Sequence, residues 1–172
     1  MEGFQLWLNL PARNKMVAPS YRDIPPASIP EFTTDDAIRV RVIAGTSHGV
    51  AGAVLRPDTD PLYLDVHLPA GACFIQPIDA GYNAFTYPYR GSVTIAGTRI
   101  SDRHMAILAN DGAEAVRIEA AEDSRLLIIA GRLLNEPIVQ YGPFVMNTDE
   151  QIQQTLRDYR DGKFESAGVT SL

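Results

Sequence analysis

Hydrophobic and polar positions alternate most clearly between Leu62 and Leu68, where Leu62, Leu64, Val66 and Leu68 share one face at a period of two. Tyr63, Asp65 and His67 take the other, which predicts a half-buried strand. Pro69-Ala70-Gly71 breaks the run, Cys73 to Ile78 resumes it, Asp79-Ala80-Gly81 turns it, and Tyr82 to Tyr89 runs on to Arg90-Gly91. The same alternation predicts strands over Gly3 to Leu10 (Phe4, Leu6, Leu8 and Leu10 against Gln5, Trp7 and Asn9) and over Ile38 to Ala44. It also predicts a hairpin of Ser92 to Ala96 with Thr98 to Ile100, and strands over Met105 to Leu108 and Ala115 to Ala120. Arg125 to Gly131 is apolar without alternation, the pattern of a central strand covered on both sides. Short strands separated by glycine-bearing turns at this spacing describe a small antiparallel barrel or jelly roll.

The ends read differently. Five prolines between Pro11 and Pro30 and little apolar periodicity predict an extended arm. Asn135 to Thr148 reads as an irregular, Pro-broken segment. Thr148-Asp149-Glu150-Gln151 is a capping box, Ile152, Leu156 and Tyr159 fall on one helical face, and Gly162 stands where that helix would stop. The expected organisation is therefore an N-terminal strand and arm over 1–30, a barrel over 31–134, and a C-terminal segment with a helix over 135–172.

Composition narrows the function classes. At 172 residues and 45% hydrophobic, the chain has material for one domain with a real core. A net charge of -6 and no clustered Lys and Arg exclude a phosphate-binding surface for nucleic acid. No apolar run approaches membrane-spanning length, and the start MEGFQLW has no signal-peptide pattern, so a cytoplasmic location is expected. Cys73 is the single cysteine, and in a strand it is read as a small hydrophobe.

Metal chemistry asks for several N, O or S donors converging on one point, and this chain has three histidines. His67, His104, Asp65 and Glu114 are the residues an improvised site would use. His67 and Asp65 share the polar strand face, and two exposed polar residues are the simpler account. A second reading is a metal-free pocket for a planar small molecule, built from Asn83, Phe85, Tyr87 and Tyr89 on one strand face with Gln76 on the preceding strand. The plainer alternative is that this row is core packing or one side of an interface.

The segment Leu62 to Gly91 also resembles the first motif of the cupin barrel, in which a strand carrying two His and a Glu ends at a Gly. With that glycine at Gly91, the family's Glu falls at Asn83 or Ala84 and its two His within Pro77 to Ala80. The last His falls within Glu114 to Val116, so the frame is present without the ligands. The stretches GFQLWLNLPARNKM, LYLDVHLPAGACFIQPIDAGYNAF and LLNEPIVQYGPFVMNTDEQIQQTLRDYRDGKF together resemble the pirin family. Pirins are bicupins, in which the first barrel carries the metal and quercetinase-type dioxygenase activity. The resemblance covers the second barrel and terminal helix. It implies an all-β, cupin-type antiparallel barrel with a C-terminal α-helix, no catalytic residue, no metal ligand and no cofactor. The expected role is a structural or protein-interaction module, half of a bicupin. The alternatives are a flavonoid-type binding barrel or part of a quercetin 2,3-dioxygenase. The expected partners are a second copy, paired through the strand Gly3 to Leu10, or a separate N-terminal cupin half.

Overall fold

A computed structural model describes residues 3–18 and 21–164. It divides into two compact units, Ile24–Leu133 and the described parts of Met1–Asp23 with Leu134–Leu172. The described residues of 1–23 group with those of 134–164, and residues 24–30 group with the barrel.

The first unit is all β apart from one turn of 3-10 helix at Pro26–Ser28. Its strands are β1 (Glu31–Thr33), β2 (Arg39–Ala44), β3 (Thr46–Ser47), β4 (Val50–Ala51), β5 (Leu62–Leu68) and β6 (Cys73–Pro77). They continue as β7 (Tyr82–Arg90), β8 (Val93–Ile95), β9 (Thr98–Ile100), β10 (Ala106–Ile107), β11 (Ala115–Ala120) and β12 (Ser124–Arg132). One sheet has the order β1-β2-β5-β12-β7-β10 and faces a second of order β6-β11-β8-β9, while β3 and β4 form a small hairpin. All the ladders between these strands are antiparallel.

The core follows from the alternation. On β5, Leu62, Leu64, Val66 and Leu68 are buried, and Tyr63, Asp65 and His67 are not. Residues paired directly across an antiparallel ladder point to the same side. Val66 is paired with Leu126 and Val40, and Leu64 with Ile128 and Val42, so these side chains enter one interior. From the second sheet Phe74, Val93, Val116, Ile118 and Ala120 meet them. Burial of a large aliphatic side chain contributes about 1.5–3 kcal/mol. β12 is central, as its unbroken apolar run predicts, and Leu126, Leu127 and Ile128 are all buried.

In the second unit, β13 (Val139–Tyr141) and β14 (Phe144–Met146) form a hairpin where the sequence pattern predicts irregular chain. Each strand is only three residues long and is flanked by proline or glycine, too short to establish a periodicity. The capping box at Thr148 forms as expected. Its side chain accepts from the Gln151 N–H at 3.3 Å, while Gln151 Oε1 accepts from the Thr148 N–H at 3.2 Å and the Asn147 N–H at 2.9 Å. α1 then runs Asp149–Arg160, with acids in its first turn and arginines in its last, the arrangement the helix dipole favours. Its buried residues are Ile152, Thr155 and Asp158, so the covered face is rotated from the expected Ile152, Leu156 and Tyr159 stripe. Tyr159 is 65% exposed but packs ring to ring with Phe144 at 5.7 Å and Phe164 at 6.2 Å.

Gly3 to Leu10, expected to be a strand, is extended coil. Residues 3–10 belong to no strand, and Phe4, Leu6, Trp7, Leu8 and Leu10 are all exposed. Alternation supplies the side-chain faces of a strand, but the element exists only when a neighbour takes the backbone hydrogen bonds. The arm is fixed further on by one turn of 3-10 helix at Ala12–Asn14, whose first N–H donates to Glu136 Oε2 at 2.6 Å. No helix among the described residues is long and apolar enough to cross a membrane.

Candidate ligand pocket at the barrel mouth

At one end of the barrel β6 stops, β7 starts, β8 turns into β9, and the loop after β10 leads into β11. These turns surround a cavity of about 410 Å³, within the range of small-molecule sites. Its inner wall is apolar, made by Ile78, Tyr82, Ala84, Ile95, Leu108 and Val116. The room comes from small residues, since Ala80, Ala96, Ala109, Ala113 and Ala115 also line it. Asp79, Asp111 and Glu119 stand at its rim, with Arg117 as the one cation among its lining residues.

Two further hydrogen bonds fix this end. Arg117 Nε donates to Glu119 at 2.8 Å, and the Asn110 amide donates to Asn83 Oδ1 at 2.9 Å. Tyr82 separates the cavity from a neighbouring recess of about 230 Å³ that Ile78 and Asp79 also line. Its hydroxyl donates to Asp60 Oδ2, and its pKa is raised, first by burial and then by that bond.

The aromatic row expected to form a pocket does not face the interior. β7 buries Ala84, Thr86 and Pro88, leaving Asn83, Phe85, Tyr87 and Tyr89 on the opposite, outer side. The register decides it: Thr86 pairs with Ile128 and Ala84 with Ala130, and the inward face of β12 carries its β7 partners inward with it. Gln76 does point inward and is 2% exposed, but it is satisfied there, accepting from Ser47 Oγ at 2.7 Å and donating to the Pro77 carbonyl at 2.8 Å. The structure therefore separates Gln76 from the other four, and only Asn83 touches the cavity's margin, through Asn110.

The improvised metal set is likewise dispersed. His67 Nε2 lies 2.9 Å from Asp123 Oδ2, whereas Asp65 accepts from the Tyr89 hydroxyl at 2.7 Å. Burial first, and Asp65 second, push the Tyr89 pKa up. His104 Nδ1 contacts the Asp102 carbonyl in a turn. Asp65, His67 and Tyr89 instead line a charged recess on the outer sheet face with Glu31, Arg39, Arg41 and Arg125. Of the positions where the cupin resemblance sets imidazoles and a carboxylate, Asp79 stands at the cavity's rim, and the others that line it are Ile78, Ala80, Ala84, Ala115 and Val116. Those apolar side chains offer no donor atom, and no three His, Cys, Asp or Glu among the described residues are grouped to hold a metal ion. The donor set does not fit a cupin metal.

Sequence reasoning missed this cavity because the turns that line it are distant in the chain. The alanines around it, scattered from Ala80 to Ala115, were the available signal.

Comparison with known proteins agrees with this frame. The family profile of the pirin C-terminal cupin domain matches residues 63–165. A Pseudomonas aeruginosa protein, named as a candidate quercetin 2,3-dioxygenase, is 48% identical over 169 residues, covering 94% of this chain and 59% of its own length. Mouse pirin is 41% identical over 171 residues, covering 96% of this chain and 58% of its own. A crystal structure of quercetin 2,3-dioxygenase from Acinetobacter baumannii superposes with a TM-score of 0.84 at 32% identity, over 94% of this chain and 56% of that one. The chain thus spans under three fifths of the length of each of these three proteins. With the profile running from β5 to the helix, and relatives of the family matching nearly the whole chain on a cupin-type antiparallel barrel, this chain belongs to the pirin family, of which it carries the C-terminal cupin domain.

Proposed function

We propose that this chain is a metal-free structural and protein-interaction module, the C-terminal half of a pirin-type bicupin working in the cytoplasm. The observation that carries the reading is the replacement of donor atoms by Ile78, Ala84 and Val116 at the barrel mouth. The carboxylates of Asp79, Asp111 and Glu119 line the same cavity, but with no imidazole beside them and no three such groups gathered to hold an ion among the described residues, they do not make a cupin-type metal site for activating oxygen. Quercetin 2,3-dioxygenase activity, which the names of several relatives state, then belongs to a barrel outside this chain. The interaction surface is the apolar arm Gly3 to Leu10. Trp7 is 65% exposed there, and a contiguous apolar segment of this size is the kind of surface a partner covers. That partner is a second copy of the chain, as a symmetric dimer, or a separate N-terminal cupin half.

Elemental analysis and light scattering on one gel-filtration peak test both parts. The expected results are no stoichiometric iron, nickel, copper or zinc, no quercetin turnover above a buffer control, and a dimer that Leu6→Asp or Trp7→Asp dissociates. One equivalent of retained metal, or turnover by the purified chain, refutes the metal-free reading. A monomer at tens of micromolar that also fails to bind an N-terminal pirin half refutes the interaction role of the arm.

A further inference from the structure

We infer that the cavity at the barrel mouth binds an amphipathic organic amine, an apolar ring system carrying an ammonium group, independently of any metal. Depth and shape supply the first argument. About 410 Å³ lined by Ile78, Tyr82, Ala84, Ile95 and Val116 gives an apolar ligand body a place to leave water, without displacing any core side chain.

The rim supplies the second argument, because it offers acceptors rather than donors. Three carboxylates line the cavity against a single guanidinium. That guanidinium, on Arg117, already donates to Glu119 at 2.8 Å, so Asp79, which also interacts with Arg132 outside the lining, and Asp111 are the carboxylates an incoming group meets. Asp111 Oδ1 accepts from the Ala113 N–H at 3.1 Å, and this bond holds the carboxylate in place on its loop. The amide of Asn110 spends one N–H on Asn83, so its carbonyl and its second N–H are left to interact. A ligand matching this rim brings hydrogen-bond donors and positive charge. A carboxylate or phosphate on the same apolar body would face Asp79 and Asp111 with like charge. The chain's net charge of -6 attracts cations and repels anions over longer distances in the same sense.

The test uses the full chain with tryptamine and indole-3-acetate, which share an aromatic body and differ in the sign of the head group. Binding is followed through the methyl NMR signals of Ile78, Ile95, Leu108 and Val116. Tryptamine is expected to give saturable shifts confined to these residues, and indole-3-acetate to bind about tenfold more weakly, as loss of two near-surface attractions implies. Ala115→Trp, at an exposed lining position, is expected to block the cavity and abolish the shifts while leaving the core methyl spectrum intact. Asp79→Asn combined with Asp111→Asn, both compatible with the loop bonds, is expected to erase the preference for the amine. No saturable shift with tryptamine at millimolar concentration overturns the proposal, as does undiminished binding by the Ala115→Trp protein. Equal affinity for the two probes, or saturable binding of quercetin in the absence of tryptamine binding, overturns the assignment to amines.

Discussion

Replacing Gly91 by alanine tests how tightly the end of β7 is built. Gly91 has φ of 70°, and a Cβ added there would lie 2.5 Å from Ser124 Oγ and 2.6 Å from the Asp123 carbonyl oxygen. Ser124 is fully buried, and its hydroxyl lies 2.9 Å from both the Ser92 and the Glu122 carbonyl oxygens, tying the β7–β8 turn to the start of β12. The backbone conformation alone costs alanine about 1–2 kcal/mol. Forced displacement in a packed site adds about 1–3 kcal/mol. Disturbing the buried hydroxyl pushes the total toward its upper end, so Gly91→Ala is expected to cost about 3–5 kcal/mol. Gly97 is the control: its φ is 76°, but an added Cβ meets nothing within 4 Å, so Gly97→Ala is expected to cost only the conformational term, about 1–2 kcal/mol. Urea unfolding followed by far-UV circular dichroism or by core methyl signals measures the difference. Trp7 fluorescence is the wrong probe, because Trp7 belongs to the unit that excludes the barrel. Equal costs for the two substitutions would refute the steric argument, and a neutral Gly91→Ala would refute the close approach itself.

Other changes have smaller expected effects. Thr148→Ala is expected to cost about 1 kcal/mol through loss of the cap, and Ile152→Ala about 2–4 kcal/mol, more than Leu156→Ala because Ile152 is 4% exposed. Helix-specific hydrogen exchange checks that ranking, and the reverse order would relocate the buried face. The Thr86 hydroxyl is buried with no hydrogen-bond partner among the described residues, so Thr86→Val is expected to stabilise the barrel by about 1 kcal/mol in urea titrations, and a clear loss would reveal a bond to water or ligand. Lys163 Nζ lies 2.6 Å from Asp158 Oδ1 and lowers the Asp158 pKa, with Gln154 assisting. A depressed carboxylate pKa contributes stability that is fully present above the unfolded value of about 3.9 and is lost as pH falls through the folded value. Lys163→Gln is therefore expected to flatten the acid-side loss of helix signal below about pH 4, and an unchanged acid limb would count against the contact.

The sequence by itself determined the strands whose two faces differ in polarity. β5 and β11 have the predicted inner faces because alternation of Leu64 and Val66 with Asp65, or of Val116 and Ile118 with Arg117, leaves only one low-energy orientation toward a core. The cap at Thr148 was legible for a similar reason, since its two hydrogen bonds join residues three apart and need no distant partner. β7 was not legible, because both of its faces are compatible with burial. Phe85, Tyr87 and Tyr89 are the more apolar choice, yet pairing with β12 turns the smaller Ala84, Thr86 and Pro88 inward, and the register of a neighbouring strand cannot be read from β7 alone. The arm Gly3 to Leu10 shows the converse, a strand pattern in the sequence over residues that belong to no strand of any sheet. The cavity is purely tertiary: Ile78, Ile95, Leu108 and Val116 converge only when the two sheets close, and small side chains between them leave space that no local pattern records.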